Sequence, residues 1–226
     1  MMQSPTNLSK SKIKEIIAKR IAKEFNENDI VTLGIGLPTE AADYIKEGMH
    51  VIIQSENGIL GLGKSQKGPV FNKKIVNAGG DFVEITKGAC FYDSQMAFTI
   101  MRGGHIDTTV LGALQVDEEG SIASWQIPGK FVPGIGGSMD LIVGSKRVIV
   151  AMTHTAKDDF KILKKCTLPL TAYKEVDMII TERCVFKITL DGLLMTEINP
   201  MFSIDEIKTS TGTKFKIAKN LKYMDI

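Results

Sequence analysis

No apolar run in this chain of 226 residues approaches the roughly 20 needed to cross a membrane, and its start, MMQSPTNLSKSK, has no signal-peptide core. A cytoplasmic protein without a membrane partner is the expectation. Cys90, Cys166 and Cys184 are far apart and form no Cys-x-x-Cys pair, and His50, His105 and His154 fall at no zinc spacing. No metal site is expected, and each thiol reads as a small buried hydrophobe. Basic and acidic residues number 28 and 26 and are spread along the chain, so nothing marks a nucleic-acid partner. Gly34 and Gly36 lack the third glycine of a dinucleotide fingerprint, because position 39 is Thr39. A Gly-x-Ser-x-Gly nucleophile elbow is missing, which disfavours serine acyl transfer.

What is present is ordinary globular composition, 43 % hydrophobic and 24 % charged, enough at this length to build a substantial core without disulfides. Ile13, Ile16, Ile17, Ile21 and Phe25 recur at helical spacing, predicting an amphipathic helix over 12–25. Ile30 to Leu33 predicts a buried strand, followed by a glycine turn and a helix beginning near Pro38. Further strands are expected at HVIIQ, TTVLGAL, RVIVAM, DMIIT, VFKITL and LLMTEI, with a helix at MAFTIM between Asp93 and Gly103 and another after the Ser203/Glu206 capping box. Short Val/Ile-rich strands separated by helices and loops indicate an α/β fold, an open and mainly parallel sheet with helices on both faces. The strands after Asp177 are closer together and could run antiparallel. With no linker, repeat or composition break, residues 1–226 read as one domain.

Glu56 follows the apolar strand VII almost directly, and ligands gather at the carboxyl ends of strands in open parallel sheets. On spacing alone an ordinary turn acid facing water is the commoner reading, with Asn57 and Gly58 supplying the bend. Gly134, Gly136 and Gly137 precede a short helix, where backbone N–H groups without neighbouring Cβ atoms can approach an anion closely, although such loops are more often tight turns. His105 and His154 could be general bases but have no triad spacing, and KILKKC reads as a solvated face.

Six blocks, QSENGILGLG, VNAGGDF, MRGGHIDTTVLGALQVDEEGSIASWQIPGK, GIGGSMDL, HTAKDDFKILKKCTLPLT and DGLLMTEIN, resemble in this order the β subunit of family I coenzyme A transferases. The likeness runs from about Ile13 to Thr211, nearest to the butyrate–acetoacetate members. It implies the open α/β fold shared by CoA transferases and sugar-phosphate isomerases. It also implies a partner α subunit in an α2β2 or higher assembly, with a site at the interface between the two. The family's Ser-Glu-Asn-Gly motif falls on Ser55 to Gly58, so Glu56 would be the nucleophile that carries CoA as a glutamyl thioester. Gly137 would give a backbone donor to the oxyanion, with a second donor from the α subunit. Gly34, Gly36, Asn57 and Gly136 would lie around the acyl group and CoA, which is a substrate, so no separate cofactor is implied.

Two departures from the family bear on substrate. Thr32 stands where the family's Asn-Leu-Gly-Ile-Gly has asparagine, and Gly80 follows Asn77-Ala78-Gly79 where succinyl-CoA-using relatives carry lysine. Loss of that cation disfavours a dicarboxylate, because a buried unpaired charge is costly. The resemblance therefore implies ping-pong exchange of CoA between butyryl-CoA or acetyl-CoA and acetoacetate. A succinyl-CoA-using enzyme, a non-catalytic metabolite-binding member of the fold and a sugar-phosphate isomerase are the alternatives.

Overall fold

Ten strands form one sheet in this computed structural model, which describes residues 8–66, 68–69, 72–130, 132, 134–157 and 159–226. The strands are β1 (Ile30–Leu33), β2 (Ile52–Ser55), β3 (Ile59–Ser65), β4 (Val83–Phe91), β5 (Thr108–Leu111), β6 (Val148–Ala151), β7 (Met178–Ile180), β8 (Cys184–Thr189), β9 (Gly192–Ile198) and β10 (Lys216–Tyr223). Their order across the sheet is β10-β9-β8-β7-β6-β5-β1-β2-β3-β4. The centre, β7 through β2, is wholly parallel; β3 and β4 extend it antiparallel at one side, β8 and β9 at the other, and β10 joins β9 in parallel. The sheet is thus mainly parallel where it is most buried, and of the strands after Asp177, β8 and β9 turn antiparallel while β7 and β10 pair in parallel with β6 and β9.

Successive residues of the central strands point to opposite faces, and each face has its own core. Val31, Val110, Ile149 and Met178 pack with Ile16, Ile17 and Ile21 of α1 (Lys10–Ala22) and with Ala41 and Ala42. Leu111, Val150, Ile179 and Phe186 pack on the other side with Met101 of α2 (Ser94–Arg102), Leu141 and Ile142 of α3 (Ser138–Gly144), and Ile207 of α4 (Ile204–Ser210). Capping sets the helix starts. Asp93 accepts from the Met96 N–H at 2.8 Å, and Ser203 and Glu206 form the reciprocal capping box.

The helix expected near Pro38 is instead a 3₁₀ segment, Leu37–Tyr44. Thr39 donates to the Gly36 carbonyl from both its N–H (3.2 Å) and its hydroxyl (2.6 Å), which tightens the first turn to an i to i+3 bond. α1 is held down by charge as well as by apolar packing. Buried Arg20 donates two bonds to Glu197 of β9 at 2.7 Å each and pairs with Glu24 at 2.6 Å, while Arg147 also reaches Glu24. Removing one partner would strand the rest in a dry setting.

The chain runs outward from β1 to β4 in one direction and from β5 to β7 in the other. β1 and β5 therefore flank the point where strand order reverses, and a crevice opens beyond their carboxyl ends.

Candidate active site

Glu56 sits at that edge, in a turn that joins β2 to β3 as a hairpin. The Gly58 N–H donates to the Ser55 carbonyl at 3.0 Å, and the Gly58 carbonyl accepts from the Tyr92 N–H at 2.9 Å. Gly58 adopts φ +96°, and a Cβ there would overlap the Tyr92 carbonyl oxygen, so only glycine closes the turn without displacing the segment after β4. The Glu56 side chain is half-buried and projects towards the loop ahead of α3. Its Oε2 lies so close to Gly137 that a Cβ at 137 would collide with it; the same Cβ would stand 3.4 Å from the Phe98 ring. Carboxylate, glycine backbone and aromatic edge converge at one point.

A cleft of about 520 Å³ opens beside this contact. Thr32 and Leu33 at the end of β1, with Gly34 and Ile35 beyond it, form one wall, and Leu111 at the end of β5, with Gly112 to Leu114 beyond it, forms another. Gly134 to Ser138, Ala78 and Ser124 complete the lining. Among the described residues that line it, Glu56 is the sole ionisable one. A carboxylate here faces small and apolar neighbours on its cleft side, and removal of the remaining water around it would make it a better nucleophile than a solvated acid. A smaller cavity of about 30 Å³ adjoins the cleft, shares Leu33, Ile35, Ser55 and Ala78 with it, and is otherwise walled by Ile53, Leu62 and Val83 among others.

Of the residues expected from sequence, Glu56, Gly34, Gly136 and Gly137 meet at the cleft. Gly36 and Asn57 are not in its lining: Gly36 precedes the 3₁₀ segment at φ +90°, and exposed Asn57 donates its amide to the Val76 carbonyl at 2.9 Å. Asn57 thereby ties the Glu56 turn to the segment leading to Ala78. Pro133, just ahead of the glycine loop, lies outside the described residues. Sequence reasoning missed Ala78, Leu111 to Leu114 and Ser124, whose small or apolar side chains carry no chemical signature; for Leu111 to Leu114 the one signal is position at the end of a strand beside the switch point.

The histidines are elsewhere. His105 is exposed and outside the cleft. His154 is fully buried, its Nδ1 and Nε2 each 3.0 Å from a threonine hydroxyl, those of Thr181 and Thr211. Burial, helped by Arg183 and Lys161, pushes its pKa down to about 3, so it stays neutral as a structural bridge. Cys90 is exposed, Cys166 half-buried and Cys184 buried; burial pushes the Cys166 thiol up to about 12 and the Cys184 thiol upward too. No helix among the described residues is long and apolar enough to cross a membrane.

A family model described as Coenzyme A transferase matches residues 14–210. The chain is 48 % identical over 209 residues to the acetate CoA-transferase subunit beta of Escherichia coli K12, covering 92 % of this chain and 95 % of that one. It is 46 % identical over 211 residues to the mitochondrial succinyl-CoA:3-ketoacid coenzyme A transferase 2A of Rattus norvegicus, covering 92 % of this chain but 41 % of that longer protein. Among solved structures, the acyl-CoA transferase YdiF of Escherichia coli O157:H7 superposes with a TM-score of 0.75 at 21 % identity, over 98 % of this chain and 45 % of that one. A variant of the decarboxylase AibA/AibB reaches 0.72 at 18 % identity, over 94 % and 89 %. The fold thus serves more than one chemistry, and sequence identity, not shape, places this chain.

Proposed function

This chain belongs to the coenzyme A transferase family, and on that premise we propose that it is the β subunit of a heteromeric short-chain CoA-transferase with Glu56 as its nucleophile. The observation that carries the reading is the contact between the Glu56 carboxylate and the Gly136–Gly137 backbone, inside a cleft with no other ionisable side chain among the described lining residues. Glu56 attacks the thioester carbonyl of an acyl-CoA, and CoA leaves as thiolate from an acyl-glutamyl anhydride. The thiolate returns to the glutamyl carbonyl, releasing the free acid and leaving CoA on Glu56; a second acid then runs these steps backwards. Anhydride and thioester lie near the substrates in energy, so exchange through the carboxylate is reversible. Each attack places negative charge on a carbonyl oxygen, for which the Gly137 N–H is the donor from this chain. The second donor comes from an α subunit, which closes the cleft against water.

A second acid bearing two carboxylates would bring a charge that no described cation in the cleft balances. Gly80 is an exposed turn residue at φ +85°, two positions past cleft-lining Ala78. Monocarboxylic acyl groups are favoured on this ground. Acetoacetate with butyryl-CoA or acetyl-CoA fits that constraint.

The test is to co-express the chain with an α-type subunit, add acyl-CoA and reduce with borohydride. Reduction of a thioester should convert Glu56 to the corresponding alcohol, read by peptide mass, and butyryl-CoA and acetyl-CoA should outperform succinyl-CoA as donors. Trapping at another residue would overturn the role of Glu56, and a preference for succinyl-CoA would overturn the assignment of substrate.

A further inference from the structure

Glu56 has a neighbour that the proposed mechanism leaves unused. The point that a Cβ of Gly137 would occupy lies against Glu56 Oε2 and 3.4 Å from Phe98 Cζ. Phe98 belongs to α2, a helix that contributes nothing to the described lining of the cleft. Its ring is half-buried and packs on the core that holds Met101 and Leu141, with the ring tip nearest Gly137. One helical turn on, Arg102 lays its guanidinium over the same ring, 5.5 Å from the centroid. Arg102 Nε also donates to Asp140 Oδ1 at 2.6 Å. Asp140 stands three residues after Gly137, on the first turn of α3. The contacts thus close on themselves: Phe98 and Arg102 from α2 meet Gly137 and Asp140 from the start of α3, with the Glu56 carboxylate at the point where ring and glycine approach.

An aromatic ring is negative on its faces and positive around its edge. A cation on the face and a carboxylate at the edge each meet the complementary charge. The cation also draws ring electrons towards itself and leaves the edge more positive, so the two contacts reinforce each other. The ring has a steric role as well, because it blocks part of the space beside Gly137 into which the Glu56 side chain could rotate. A glutamate has several rotamers, and attack on a thioester carbonyl needs the one that is aimed.

We propose that Phe98 is a positioning residue for the Glu56 carboxylate, its ring tip confining the carboxylate to the place beside Gly137 from which it attacks. Arg102 acts through the ring, and Asp140 holds Arg102 over it. The inference rests on the transferase reading above and adds to it what keeps the nucleophile aimed.

The experiment follows the first half-reaction of the assembled enzyme with acetyl-CoA by rapid quench, and separates the rate constant for thioester formation at Glu56 from its amplitude. Phe98→Leu keeps apolar bulk but loses the ring tip, and its rate constant should fall by about tenfold or more at an unchanged amplitude. Loss of the cation predicts roughly a two- to fivefold fall for Arg102→Leu, and Arg102→Lys, which keeps a charge over the ring, should restore the parent rate. A rate constant unmoved in Phe98→Leu overturns the proposal. So does a lowered amplitude at an unchanged rate constant, which is what a merely structural loss produces. Should Phe98→Leu fail to assemble, Arg102, whose side chain is 67 % exposed, decides: a slower Arg102→Leu restored by Arg102→Lys supports the proposal, and any other pattern overturns it. A parent enzyme inactive with every acyl-CoA, or trapped at a residue other than Glu56, defeats the transferase reading and this inference with it. An active parent trapped at Glu56 beside unmoved variants defeats the inference alone.

Discussion

Glu56 and His154 occupy equivalent places in the fold, each just beyond the carboxyl end of a parallel strand, β2 and β6, on the same edge of the sheet. Their surroundings are opposite. Glu56 is half-buried at a cleft, pressed against glycine backbone, with small and apolar neighbours. His154 is sealed, and both ring nitrogens and its backbone N–H, which donates to Glu182 at 2.9 Å, are occupied. Position at a strand end therefore does not by itself make a residue chemical. What separates the two is whether polar atoms are left facing space that a substrate can enter.

That contrast is broken most severely at Glu56. Glu56→Gln keeps shape and hydrogen-bonding capacity but removes the proposed nucleophile, and turnover of the assembled enzyme should fall by at least about 10³-fold with the melting temperature unchanged. Residual activity above a tenth of the parent would place the nucleophile elsewhere. Gly137→Ala comes next: its methyl group would occupy the position of Glu56 Oε2, so the carboxylate must swing away. A displacement of about 1 Å from reacting geometry predicts roughly a 10²-fold loss in kcat. Equal kcat in parent and variant would show that the contact has no part in catalysis.

The same contrast governs how much could be read before the structure was known. Central strands such as β6, VIVA, are buried on both faces, so their β-branched runs stand out in the sequence. The two outermost strands do not. β4 buries Val83 alone and carries Glu84 and Lys87, while β10 carries Lys216, Lys219 and Lys222 and buries nothing. Edge strands pair on one side and use charge to avoid further pairing, which erases the pattern that marks a strand. At the site, the Ser-Glu-Asn-Gly stretch was legible through resemblance to a family, yet the far wall at Leu111 to Leu114 was not. Topology brings that wall to Glu56, and no local pattern encodes it.

On the sealed side, His154→Ala should cost stability and leave catalysis intact. Removing a ring that bridges Thr181 and Thr211 strands two buried hydroxyls and opens a cavity, predicting a loss of about 2–4 kcal/mol in the free energy of unfolding. Activity per folded molecule should match the parent. A drop in kcat comparable to that of Glu56→Gln would move His154 into the active machinery and erase the distinction.

The smallest effect is also the most specific, because it tests neutrality and not mere presence. With a folded pKa near 3 against an ordinary 6.5, His154 takes up its proton more readily in the unfolded chain. Its contribution to stability is complete above about pH 6.5 and is lost progressively as pH falls towards about 3. Within that window one proton's difference corresponds to a slope of about 1.4 kcal/mol per pH unit. Carboxylates held by cations, such as Glu24 beside Arg20 and Arg147, add to the acid sensitivity of any variant that retains them. His154→Gln keeps an amide that can bond to both threonines but cannot gain charge, so denaturant unfolding at pH 4.5, 5.5 and 6.5 should show a shallower decline than in the parent, by up to that slope. Parallel declines in the two proteins would mean that His154 is already able to protonate in place, and that the cluster beyond β6 is open in the way the turn beyond β2 is.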